Sequence, residues 1–316
     1  MSEKNALIVL TGPTAVGKTR LSIALAKAIG GEIISADSMQ VYKHMDIGSA
    51  KISPEEMQGV PHYMIDCIEP SEDFNVTIFQ KMAKKYMDII YSHGNIPILV
   101  GGTGFYIQAV LYDIDFTSND EDMSYRNSLE ESARLHGDAY LHAMLKKVDT
   151  ESALLIHENN RKRVIRALEF YEKTGTKISL HNEAEHQKES PYAFQYFVLT
   201  DHRERIYMNI DKRVDIMLEE GLIREVQILK DMGCQRESVA MQGLGYKEMF
   251  SYLDGECTLE EAVSLIKRNT RHFAKRQLTW FRRERDVTWI EKGQYQYDDE
   301  KILERIIQQI QKRSRD

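Results

Sequence analysis

Hydrophobic and polar positions in the N-terminal third alternate between continuous apolar runs and helix-length segments. Ala6-Leu7-Ile8-Val9-Leu10 is apolar throughout and runs into a Gly-rich turn, the pattern of a parallel strand buried on both faces. Helix formers fill residues 20–29, and Gly30-Gly31 supplies a stop. Glu32-Ile33-Ile34-Ser35 reads as a second strand and residues 77–91 as an amphipathic helix. Ile96-Pro97-Ile98-Leu99-Val100 reads as a third strand, ending in Gly101-Gly102-Thr103-Gly104. Strand, helix, strand, helix, strand predicts a three-layer α/β domain with a parallel sheet.

The pattern changes after Asp115. Residues 119–187 hold many charges and several helical periods, such as Arg163 to Tyr171, without a convincing strand. Phe194 to Leu199 returns to an apolar strand that would rejoin the first sheet. Helices follow from Arg203, with Thr288-Trp289-Ile290 as a last short strand. Ile302, Leu303, Ile306, Ile307 and Ile310 mark a terminal amphipathic helix. The expected organisation is therefore a first part of the core at 1–115, a helical insertion at 116–190, and a largely helical return to the core at 191–316.

Composition narrows the class. With 316 residues, 42% hydrophobic and 29% charged, and only 18 Gly and 6 Pro, the chain is neither collagen-like nor low-complexity. No apolar run approaches the roughly 18 residues of a membrane helix. The start, Met1-Ser2-Glu3-Lys4, lacks the layout of a signal peptide, so a cytoplasmic protein with no membrane partner is expected. Cys67, Cys234 and Cys257 are far apart, which supports neither a disulfide framework nor a Cys-based zinc site. The histidines show no spacing typical of metal ligands. Net charge is −7, yet residues 267–285 hold eight Lys/Arg against one acid, Glu284. A polyanion responds to the local field of such a patch more than to net charge.

The strongest chemical signal is Gly12-Pro13-Thr14-Ala15-Val16-Gly17-Lys18-Thr19, a match to G-x-x-x-x-G-K-[ST] between an apolar strand and a helix. Loop N–H groups and the helix N-terminus favour a phosphate chain, Lys18 adds a charge, and the Thr19 hydroxyl can ligate Mg²⁺. P-loop hydrolases also place an acid at the end of a neighbouring strand. Here Ile98-Leu99-Val100 runs straight into glycines. The first carboxylate near the loop is Asp37, after Ile33-Ile34-Ser35, where position alone fits a magnesium carboxylate, a helix cap or a base.

Six segments in order resemble the isopentenyl-tRNA-transferase family, the tRNA dimethylallyltransferases. They are Gly12–Thr19, Asp37-Ser38-Met39-Gln40-Val41-Tyr42, Gly101-Gly102-Thr103-Gly104-Phe105-Tyr106, Asn160 to Glu169, Gln242-Gly243-Leu244-Gly245-Tyr246, and Arg271 to Phe281. The resemblance covers nearly the whole chain. It implies a P-loop NTPase-like core that binds the diphosphate of dimethylallyl diphosphate, with Mg²⁺ through Thr19. It also implies transfer of the prenyl group to the exocyclic amine of the adenosine 3′ of the anticodon in tRNA. In the family the position matching Asp37 accepts the amine proton, and Lys18 and Thr19 stabilise the leaving diphosphate.

The same resemblance assigns Gly12 to Thr19 and Arg203 to the diphosphate. It assigns Asp37, Ser38, Met39, Gln40, Thr103, Arg126, Lys162, Arg163, Arg166, Gln242 and Gly243 to tRNA. Lys267, Arg271 and Lys275 recur every four residues, with Arg276 and Gln277 flanking them, and read as a surface for the anticodon stem-loop. The family often has arginines at the positions matching 203, 209 and 213, and this chain departs from it with Asn209. A monomer is expected. The rival readings are an RNA-binding P-loop NTPase and a small-molecule kinase, and the missing strand-end acid counts against both.

Overall fold

The computed structural model describes residues 4–116 and 123–313. Residues 1–3 of the N-terminus and 117–122 at the start of the expected insertion lie outside the described residues. The chain divides into two compact units, Met1–Leu111 with Pro191–Asp316, and Tyr112–Ser190.

The first unit opens with β1 (Ala6–Thr11), α1 (Lys18–Ile29), β2 (Gly31–Ala36), α2 (Pro54–Met57) and β3 (His62–Tyr63). It continues with α3 (Val76–Ser92), β4 (Ile96–Gly101) and α4 (Gly104–Leu111). The second unit holds α5 (Ser124–His136), α6 (Asp138–Val148), α7 (Thr150–Leu155), α8 (Arg161–Thr174) and α9 (Ile178–Gln187). The chain then returns to the first unit through β5 (Ala193–Thr200), α10 (Arg203–Glu220), α11 (Leu222–Asp231), α12 (Tyr246–Leu253), α13 (Leu259–Phe281), β6 (Val287–Glu291) and α14 (Asp299–Arg313).

The six strands form one all-parallel sheet in the order β3-β2-β4-β1-β5-β6. β1 lies between β4 and β5, with Val9 opposite Leu99 on one side and Tyr196 on the other. Ile8, Leu10, Ile33, Ile98, Phe197 and Leu199 pack with Leu21, Leu25, Ile302 and Ile306 of α1 and α14. The alternate residues Leu7, Val9, Ile34 and Leu99 are fully buried from the opposite face, because successive strand side chains point opposite ways. Burial on both faces is why these strands read as continuous apolar runs.

Sequence periodicity places most elements of this unit within two residues. It misses β3, two residues long at the sheet edge, and the short helices α2 and α4. Gly31 begins β2 instead of ending a helix, and Gly30 alone closes α1 with φ 64°. Among its described residues the second unit holds helices and no strand, packed around Leu129, Leu141, Leu145, Val164 and Leu168. Its polar anchor is Asp149, 1% exposed, which accepts the N–H and hydroxyl of Ser152 and the N–H and hydroxyl of Ser179.

Candidate active site

Crossover helices put the carboxyl ends of β1, β2 and β4 on one edge of the sheet, where ligands of open α/β folds bind. β1 delivers the P-loop, β2 delivers Asp37 and β4 delivers Gly101 and Gly102. The P-loop needs its glycines for different reasons. A Cβ on Gly12 would overlap the Leu199 carbonyl at the end of β5, so no side chain fits there. Gly17 caps α1 in the left-handed region at φ 94°, which costs glycine little. No acid occupies the first turn of α1, so its free N–H groups present an uncancelled positive end to an anion.

The loop is braced by groups far along the chain. Gln277, 5% exposed, accepts the Thr14 N–H at 2.9 Å and donates to the Gly102 carbonyl at 2.9 Å. Asn209 donates to the Ala15 carbonyl at 3.2 Å, next to a backbone held at φ 62°. Asn209, the departure from the family pattern, therefore serves as a loop clamp. Lys292 donates to the Val16 carbonyl at 3.4 Å and pairs with Asp299 at 3.3 Å.

A cavity of about 110 Å³ collects these parts, lined by Thr14, Ala15, Gly17, Lys18 and Thr19 of the loop. Asp37, Gln40, Ser49, Ala50, Arg213, Phe273 and Gln277 complete most of its wall. Lys18 donates to the carbonyls of Gly12 and Pro13, both at 2.9 Å. Burial and the neighbouring Arg213 charge pull its pKa down to about 7, against the opposing pull of Asp37. Burial raises the Asp37 carboxyl above its ordinary value. Hydrogen bonds from the Met39 and Gln40 backbone and the charges of Lys18 and Arg213 oppose that rise only in part. Tyr106 is pushed up to about 12 by burial and by Asp37. One carboxylate with a raised pKa thus shares a small cavity with Lys18 and Arg213.

Several expected site residues stand elsewhere. Gly12, Pro13 and Val16 are buried framework of the P-loop and do not line the cavity. Arg203, at the exposed start of α10, lies over the Tyr207 ring at 5.0 Å, and the α10 arginine in the cavity wall is Arg213. Ten residues of helix separate the two by about 15 Å. Arg213 was visible in the sequence only as one of three pattern positions.

Gln277, expected at the tRNA, engages both ends of its side chain with the Thr14 N–H and the Gly102 carbonyl. Two of the three stripe cations are paired: Lys267 with Asp215 and Arg271 with Asp211, each at 2.5 Å. Periodicity along α13 could not show that α10 lays acids alongside it. Lys275 and Arg276 are exposed, and with His272, Thr279, Trp280 and Arg283 they line an open cavity of about 450 Å³.

Met39 donates its N–H to Asp37 at 2.8 Å, and its sulfur packs on Gly243, where a Cβ would meet it at 2.7 Å. Gly243 is therefore buried packing beside the Asp37 turn, while Gln242 is exposed. Thr103 lies at the entry to α4 and donates its N–H to the Ala36 carbonyl at 3.2 Å. Ser38 is half-buried beside Asp37. In the second unit, Arg126 makes a two-pronged pair with the buried Glu169 at 3.0 and 2.6 Å. Arg166 is half-buried on α8, while Lys162 and Arg163 are exposed in its first turn. Cations there oppose the helix dipole, so an anion binding at that turn gains from both. Among the described residues no helix is long and apolar enough to cross a membrane, and no group of three or more His, Cys, Asp or Glu could hold a metal ion.

A sequence profile for IPP transferase matches residues 40–284. A Lachnoclostridium phytofermentans protein named tRNA dimethylallyltransferase is 60% identical over 300 residues, 95% of this chain and 96% of that protein. One of the same name from Carboxydothermus hydrogenoformans is 52% identical over 307 residues, 97% of each. Among solved structures, the full-length tRNA isopentenylpyrophosphate transferase of Bacillus halodurans superposes with TM-score 0.74 at 44% identity, over 99% of both chains. A eukaryotic dimethylallyltransferase acting on tRNA gives 0.78 at 30% identity, over 91% of this chain and 74% of that one.

Proposed function

The chain belongs to the IPP transferase family and is a tRNA dimethylallyl-transferring enzyme; on that premise we propose how the cavity works and which atom it modifies. The acceptor is the exocyclic amine of the adenosine 3′ of the anticodon, and the donor is dimethylallyl diphosphate. The bond between the allylic carbon and its diphosphate oxygen breaks, the amine nitrogen bonds that carbon, and Asp37 takes the proton the nitrogen sheds. Diphosphate leaves into the P-loop, where loop N–H groups, Lys18 and Arg213 meet the charge that grows on it. Donors fixed where charge develops are the largest catalytic term in most enzymes.

The observation that carries this reading is the shared cavity: Asp37 with its raised pKa, and Lys18 and Arg213 beside the P-loop. Among the described residues Asp37 is the one carboxylate in its lining. Neither the NTPase nor the kinase reading is favoured: β4, the strand beside β1, runs into Gly101 and Gly102 without the acid such enzymes place there for magnesium. Magnesium fits the oxygen donors on offer, the Thr19 hydroxyl together with diphosphate oxygens. When bound, it would supply further positive charge to the leaving group.

On the tRNA side, Lys275 and Arg276 of the first unit and Lys162 and Arg163 of the second offer exposed cations for the anticodon stem-loop backbone. Arg126 and Arg166 are further candidate contacts on the second unit, Arg126 held by Glu169. The target adenine leaves its stack to reach Asp37, as bases do before chemistry on their amines. The enzyme acts as a monomer.

The test is incorporation of labelled dimethylallyl groups into tRNA, with ATP turnover followed in parallel. Transfer without ATP turnover is expected. Asp37→Asn should keep prenyl-diphosphate affinity and lower kcat by about 10²–10⁴-fold, the usual contribution of a general base. A wild-type kcat in that variant sinks the assignment of Asp37.

A further inference from the structure

Glu225 is a buried carboxylate, 9% exposed, for which the transfer chemistry has no direct use. It sits on α11 and gathers four donors. Oε2 accepts the backbone N–H groups of Asp46 and Ile47 at 2.8 and 2.7 Å. Oε1 accepts the Gly48 N–H at 3.0 Å and the Tyr246 hydroxyl at 2.8 Å. Hydrogen bonds to an ionised acceptor are about twice as strong as neutral ones. Three consecutive N–H groups aimed at one carboxylate therefore pin this turn firmly.

The same turn is braced twice more. The Tyr246 ring lies on Gly48, where a Cβ would stand 2.5 Å from the ring carbon Cζ. Lys51 Nζ donates to the Tyr42 carbonyl at 2.8 Å and to Asp46 and Asp66 at 2.6 Å each. The next two residues, Ser49 and Ala50, enter the cavity wall. Gln40 donates to their carbonyls at 3.4 and 3.3 Å and accepts the Ser35 hydroxyl at 2.8 Å. Ser35 is the last but one residue of β2, two positions before Asp37. An unbroken line of contacts thus runs from Tyr246 through Glu225 and the 46–50 turn to Gln40, beside Asp37.

We propose that Glu225 is a positioning residue for dimethylallyl transfer, holding the 46–50 turn and Gln40 as the wall that encloses Asp37. This rests on the reading of Asp37 as the base. Glu225→Gln has nearly the same size, but its amide nitrogen cannot accept the N–H groups that one carboxylate oxygen now takes. The turn relaxes, the wall moves and water reaches Asp37. A shift of about 1 Å in such a constellation costs on the order of 10²-fold in rate.

The test uses the full chain with labelled dimethylallyl diphosphate and tRNA, measuring kcat, both KM values and kcat against pH. For Glu225→Gln we expect kcat lower by about 10²-fold, with KM for the prenyl diphosphate within about twofold. The acid limb of its kcat profile should move to lower pH, because hydration relaxes Asp37 toward an ordinary carboxylate. Lys18, Arg213 and Tyr106, the groups that face Asp37, are the same in both enzymes. A loss of folded protein would scale kcat at every pH and leave the limb in place. Should Glu225→Gln not fold, Tyr246→Phe keeps the ring on Gly48 and removes one donor, with kcat expected about three- to tenfold lower and the same shift of the limb. A wild-type kcat, or an unmoved acid limb, in the folded variant overturns the proposal. If Asp37→Asn is crippled while Glu225→Gln is normal, the positioning role fails alone; if Asp37→Asn is normal, the base assignment fails with it.

Discussion

The side chain of Gln277 accepts the backbone N–H of Thr14 at 2.9 Å, so a residue near the end of α13 shapes a loop 263 positions earlier in the chain. Its other end donates to the Gly102 carbonyl, joining the turns that follow β1 and β4. Gln277→Leu keeps the volume but leaves both backbone groups without this partner, at about 1–3 kcal/mol for a buried group. KM for dimethylallyl diphosphate should rise roughly tenfold, while the salt dependence of tRNA binding stays as in the wild type. Equilibrium binding of each substrate alone checks both halves.

The donor side should show a basic limb. With its pKa near 7, Lys18 loses its charge as pH rises through that value in the free enzyme. The ratio kcat/KM for the prenyl diphosphate reports the free enzyme and should fall by about tenfold per pH unit above 7. Arg213→Gln removes a like charge, so Lys18 becomes more basic and the limb moves to higher pH, while KM rises. Profiles of the two enzymes, measured side by side, decide it.

Ion pairing divides the basic helix into two classes. Lys275→Ala with Arg276→Ala should weaken tRNA binding and flatten its log–log salt slope by about one to two units, close to 0.7 per contact on single-stranded RNA. Lys267→Ala with Arg271→Ala should change the slope less, because Asp215 and Asp211 already hold those charges. Equal slopes in the two double variants would show that the α10 acids do not matter to RNA.

The second unit should depend on Asp149. Burial raises its carboxyl pKa, but hydrogen bonds from Ser152 and Ser179 outweigh that and hold it below the usual range. A depressed folded-state pKa means stability that is present above the unfolded pKa and lost as pH falls through the folded one. Asp149→Ala should cost about 2–4 kcal/mol of that unit's stability. It should also remove the part of the acid sensitivity, below about pH 4, that belongs to this group. Hydrogen exchange of α7 and α9 amides against pH measures this locally.

The fold was largely legible because its strands are buried on both faces and its helices are amphipathic, and both leave plain periodicities. β3 escaped because two residues cannot show a period. The P-loop and Asp37 were legible through local spacing. Arg213, Asn209 and Glu225 were not, because each acts across a packing contact between segments far apart in the chain. The cationic stripe shows the opposite failure: α13 read alone suggests three free charges, and only its neighbour α10 reveals that two are engaged.

Three glycines are packed too closely to bear a side chain. A Cβ at Gly12 would strike the Leu199 carbonyl, one at Gly101 the Ala36 backbone, and one at Gly104 the Trp280 ring. At Gly12 and Gly101 the neighbour is main chain, with no side chain to exchange. A library aimed at longer prenyl donors should leave those turns alone and vary Ser49, Ala50 and Phe273, where the wall is built of replaceable groups.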